Sequence, residues 1–139
     1  MTEFKDPKEI YREAMERVQQ TVEAQPPTIQ RAEVWPYPEL DRLWVRVETG
    51  GFTTFPNLTF TLFGPEGDVV STMFMVEIRN PYQSLTMHLR RAPRPDETYR
   101  LEVVLDRDGA TLDTREIEFP LTYRDPAEGA PTKGKPTGG

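Results

Sequence analysis

Between Thr28 and Tyr123 the chain alternates apolar and polar residues with a period of two, in one short run after another. Leu43, Val45 and Val47 alternate with polar or amphipathic neighbours. So do Leu58, Phe60 and Leu62, then Leu85, Met87 and Leu89, then Tyr99, Leu101, Val103 and Leu105. A strand sends successive side chains to opposite faces, so this period marks strands with one buried face. The pattern predicts strands near 28–35, 41–49, 57–63, 68–79, 83–91, 98–107 and 110–121. Turn signals separate them: Gly64-Pro65-Glu66-Gly67-Asp68 and Asp106-Arg107-Asp108-Gly109 each lie between two apolar runs. Many short strands at this spacing close into a sandwich or barrel.

One corner of this pattern carries a family likeness. The segment Pro93-Arg94-Pro95-Asp96-Glu97-Thr98-Tyr99-Arg100-Leu101 resembles the approach to the sixth strand of immunoglobulin-like and fibronectin-type-III-like sandwiches. There a tyrosine bonds back to the preceding loop, and Tyr99 stands at the matching position. The resemblance implies an all-β, immunoglobulin-like antiparallel sandwich of about seven strands. It implies no activity, and the cysteine pair of antibody-type domains is missing.

Flanking segments divide the chain into three parts: a helix and Pro linker over 1–27, the sandwich over 28–124 and a tail over 125–139. Asp6 is a good N-cap, and Pro7 suits the first helical position. Ile10, Ala14, Val18 and Val22 recur every four residues, giving a single apolar stripe on a helix predicted over 7–24. Gln25-Pro26-Pro27 ends it. So short an amphipathic helix is not stable alone in water, so its stripe is expected to dock, in the same chain or on another. Seven of the last fifteen residues are Pro or Gly and none is large and apolar, which reads as a flexible tail.

Charge and composition narrow the function. A net charge of -6 argues against nucleic-acid binding, which needs clustered cations. No stretch approaches the roughly 18 consecutive apolar residues of a membrane span. The first residues lack the apolar run of a signal peptide, so a cytoplasmic location is expected. Absence of cysteine removes thiol chemistry and thiolate metal sites. Fourteen prolines, and arginine in place of every lysine between Thr28 and Arg124, fit a GC-rich genome and also a thermophile.

Catalytic signals are weak. His88 is the single histidine, and it alternates with Met87 and Leu89, which points it away from the core. No Gly-x-Ser-x-Gly elbow accompanies it. Arg90, Arg91 and Arg94 form a basic cluster beyond it, read as a solvated loop. Asp106-Arg107-Asp108-Gly109, with Asp113 and Glu116, has some of the carboxylates of a calcium loop, but a hairpin explains the turn fully. No enzyme, metal or cofactor is expected. Two surfaces remain. If Val70, Phe74, Val76 and Ile78 face inward, with a local irregularity near Ser71 and Thr72, then Met73 and Met75 face outward. With Phe63 and Val104 they would form an apolar patch on the outer face of one sheet, an interface for a protein partner or a second copy. The alternative is an aromatic platform of Trp35, Tyr37 and Trp44 that binds carbohydrate or peptide.

Overall fold

The computed structural model describes residues 7–12, 27–50, 55–126, 132–133 and 135–136. Residues 7–12 are helical, and the rest of the expected helix, with Ala14, Val18 and Val22, lies outside the described residues. Seven strands follow: β1 (Thr28–Pro36), β2 (Arg42–Gly50), β3 (Asn57–Phe63), β4 (Val69–Met75), β5 (Tyr82–His88), β6 (Thr98–Arg107) and β7 (Ala110–Pro120). Two further short pairings, β8 (Thr132–Lys133) and β9 (Lys135–Pro136), fall within the segment expected to be a free tail.

All pairings are antiparallel. One sheet runs β5-β2-β1-β8 and the other β4-β3-β6-β7-β9. Register explains the alternation. Val34, Val45 and Leu85 stand side by side on one inner face. Met73, Phe60 and Val103 do so on the other. The two inner faces close over Phe60, Leu58, Leu62, Leu101, Leu105 and Ile117, each at most 1% exposed. Burying a side chain of this size contributes about 1.5–3 kcal/mol, so the alternation itself selects the register.

Local chemistry sets the corners. Asp108 and Gly109, with φ of 51° and 80°, turn the chain between Arg107 and Ala110, which pair across the hairpin. Two adjacent positive-φ residues give the turn whose twist matches the strands. Tyr99 is 2% exposed and its ring stacks on Phe119 at 6.2 Å. Its hydroxyl accepts a hydrogen bond from the Arg94 N–H at 3.0 Å, the corner bond that the resemblance implied.

A clamp joins the sheets at the β1 end. The β1–β2 ladder shifts register between Ile29 and Arg31. Ile29 donates its N–H to the Asp113 carboxylate at 2.7 Å, and its carbonyl accepts from the Arg115 guanidinium. Asp113 and Arg115 sit opposite Leu105 and Val103, at core-facing positions of β7. Two polar residues thus stand where alternation calls for apolar ones, because they satisfy main-chain groups of the neighbouring sheet.

Candidate functional site

The outer face of the five-stranded sheet departs from the sequence expectation at β4. Met73 lies opposite Phe60 and Met75 opposite Leu58, both core residues, and both methionines pack against the core. Phe74 and Val76 are instead 69% and 74% exposed. The expectation that Met73 and Met75 face outward is therefore corrected. Its cause is a bulge: Leu62 pairs with Ser71 but Phe63 pairs with Val69, which leaves Val70 as an extra residue. Val70 and Ser71 are both buried, and one inserted residue moves everything after it to the other face. Ile78 is buried, as expected, after the chain leaves β4.

Phe63 and Val104 do face outward, half-buried, because they alternate with Leu62 and with Val103 and Leu105. Arg100 covers the Phe63 ring, its guanidinium carbon 4.1 Å from the ring centroid, and pairs with Glu116. Val104 lies opposite Thr59, which lies opposite Phe74. The outer face thus presents Phe74, Thr59 and Val104 in one row across three strands, with Val69 49% exposed beside Phe63. Ile10 and Tyr11 are 54% and 69% exposed, so this described turn of the helix does not bury its apolar residues.

Aromatic residues gather on the outer face of the four-stranded sheet. Trp35 and Trp44 are directly opposite, with centroids 6.4 Å apart. Trp35 is buried and forms a floor rather than an exposed platform. Trp44 is half-buried and donates its indole N–H to Ser84 Oγ at 2.7 Å. The Arg42 guanidinium stacks 4.6 Å from the Tyr37 ring, and that of Arg46 stands 5.2 Å from Trp44. Trp35, Pro36, Tyr37, Pro38, Trp44, Tyr123 and Pro126 line an open groove of about 220 Å3. Beyond Arg46 a polar cleft of about 160 Å3 holds Glu33, whose carboxylate meets Arg31 Nε at 2.7 Å.

The remaining candidates are occupied or dispersed. His88 is exposed opposite Arg42, and its imidazole makes no hydrogen bond among the described residues. In the basic cluster, Arg91 pairs with Asp68, and Arg94 with Glu66 and Glu97. The hydrogen bond to Glu66 and the charge of Glu97 raise the Arg94 pKa above its ordinary value. The Asp113 carboxylate accepts from the Ile29 and Thr114 N–H groups, and Glu116 holds Arg100. Those oxygens serve the fold. No helix among the described residues is long and apolar enough to cross a membrane.

No family model and no curated protein sequence matches the chain. Solved structures do share its fold. A glycosyl hydrolase family 2 member from Bacteroides cellulosilyticus DSM 14838 superposes with a TM-score of 0.53 at 12% identity, over 69% of this chain and 15% of that one. A β-glucuronidase from Parabacteroides merdae gives 0.53 at 13% identity, over 68% and 13%. The β-glucuronidase from Ruminococcus gnavus, in complex with C6-substituted uronic isofagomine, gives 0.50 at 14% identity, over 68% and 16%. The chain therefore spans about one-seventh of these proteins, and the likeness is one of fold.

Proposed function

We propose that this chain is a non-catalytic binding module of immunoglobulin-like architecture, which associates with protein through the outer face of its five-stranded sheet. The strand order β5-β2-β1 against β4-β3-β6-β7, together with the Tyr99 corner, supports that architecture. One observation carries the association: Phe74, on the edge strand in line with the half-buried Val104, is 69% exposed, and Val76, just past the end of that strand, is 74% exposed. Apolar side chains gathered at a surface mark a contact. The test is size-exclusion of an extract from cells that make the protein. The parent should elute well above the 16.0 kDa of one chain. Phe74→Glu should elute as the free chain with an unchanged melt. Co-elution of both at single-chain size would defeat the proposal.

A second reading rests on the aromatic groove over Trp35, Tyr37 and Trp44. Half-exposed rings beside Arg42, Arg46 and Ser84 suit a saccharide or extended peptide, which stacks on the rings and bonds to the polar groups. Several neighbours in fold are glycosyl hydrolases, but at 12–14% identity they lend this reading the scaffold alone. Tryptophan fluorescence titrated with oligosaccharides and proline-rich peptides tests it; a flat signal with all of them rejects it.

A further inference from the structure

We infer that the aromatic groove over Trp35, Tyr37 and Trp44 takes a proline-rich peptide in the polyproline II conformation, with an acidic residue of that peptide on Arg46. The inference rests on the second reading, of this groove as a ligand site, and names its ligand.

The lining decides between saccharide and peptide. Its side chains are aromatic rings and prolines alone, with Pro36, Pro38 and Pro126 among them. Its side-chain hydroxyls are those of Tyr37 and Tyr123, and that of Tyr37 is hydrogen-bonded to Thr86 Oγ at 3.4 Å. A saccharide carries donors and acceptors around each ring, and a buried polar group is costly unless it is paired. Prolyl rings bring apolar methylenes and no N–H. What the groove lacks is acceptors for its own donors. The Trp35 indole N–H and the Arg42 Nε–H are buried without a partner among the described residues. Trp35 lines the groove, and Arg42 stacks on Tyr37 at its rim. The main-chain carbonyls of a prolyl segment are acceptors with no competing donor. Such segments also arrive already extended, so little ordering entropy opposes their docking between aromatic rings.

The rim of the groove is preformed. Leu40 donates its N–H to the Tyr37 carbonyl at 2.9 Å, and Tyr37 donates its own to the Arg42 carbonyl at 3.1 Å. This turn holds Leu40 at a φ of 61°, which leucine rarely adopts, while its side chain packs on the core. Charge then sets the end of the ligand. Arg46 is exposed beside Trp44 and opposite Glu33, whose carboxylate is taken by Arg31. Glu48 follows on the side of Arg46 away from Trp44. No ion pair holds Arg46 among the described residues. Arg42, by contrast, has Glu39 and Asp41 at 3.8 and 3.9 Å. Arg46 therefore stands open to a carboxylate carried past Trp44 by the ligand.

Peptides and oligosaccharides titrated into the full chain, read by tryptophan fluorescence and calorimetry, test the inference. The probes are a proline oligomer ending in glutamates, the same oligomer ending in lysines, a Gly-Ser peptide ending in glutamates, and a panel of neutral and acidic oligosaccharides. The acidic proline oligomer should bind with a Kd below about 1 mM. It should bind at least about tenfold tighter than the lysine-ended oligomer and the Gly-Ser peptide. Arg46→Glu, at an exposed position, should keep the parental melt and reverse the order of the two proline oligomers, because the lysines then meet a carboxylate. A Gly-Ser peptide that binds as tightly as the acidic proline oligomer overturns the inference, since the groove would not be reading prolines. Equal affinity for the two proline oligomers, or an order that Arg46→Glu leaves unchanged, overturns it as well. Oligosaccharide binding with no response to either proline oligomer overturns it while leaving the groove a ligand site. No response to any probe removes the two readings together.

Discussion

Tyr99→Phe removes one oxygen from the most characteristic corner of the fold. The hydroxyl makes one hydrogen bond, from the Arg94 N–H at 3.0 Å, and the ring is 2% exposed against Phe119. Arg94 itself is exposed, so its freed N–H can turn to water. The cost should therefore be that of one net hydrogen bond, about 1 kcal/mol. For a sandwich of this size that lowers Tm by about 4–8 °C. Tyr99→Ala removes the ring as well and leaves a cavity between Phe119 and the loop. It should cost about 3–5 kcal/mol, a large share of the total stability of a small domain. Urea unfolding and thermal melts of parent, Phe and Ala variants measure the two contributions separately. If the Phe variant lost as much as the Ala variant, the ring would not be what fills this corner. If the Phe variant melted like the parent, the hydroxyl bond would be without weight.

Asp113→Ala should cost about 1.5–3 kcal/mol in urea unfolding, because it strands the Ile29 N–H at the register shift of β1; a neutral result would show that the clamp is dispensable. Gly109→Val forces a branched residue to a φ of 80° and should cost about 1–2 kcal/mol, read from the melt; an unchanged melt would contradict the turn geometry. Trp44→Ala should abolish any fluorescence response to ligands of the aromatic groove, and a surviving response would place the ligand elsewhere.

Strand positions were legible because period-two alternation is a direct consequence of burying one face. Leu43, Val45 and Val47 occupy the inner face that the pattern assigns them, as do Leu58, Phe60 and Leu62. Tyr99 was legible from its corner. Met73 and Met75 were not, because Val69 to Val76 is apolar at both phases apart from Ser71 and Thr72. Only the bulge at Val70 decides which phase faces inward. Trp35 was ambiguous for a related reason. It lies on the outer face of its sheet yet is buried, beside Trp44. The clamp on Ile29 joins residues 84 and 86 positions apart, and no local pattern announces it. Pairing of Thr132–Lys133 with β1 and Lys135–Pro136 with β7 was hidden by a composition that lacks large apolar residues.

The outer face is tested most directly by a photo-reactive benzophenone side chain at position 74, in cells that make the protein. Position 118, exposed on β7 of the same sheet, is the control. Illumination should join the chain to a protein from position 74, with an adduct of twice the 16.0 kDa chain mass if a second copy is the partner, and leave the position-118 variant unjoined. Adducts formed equally from both positions, or from neither, would contradict association through Phe74 and its neighbours.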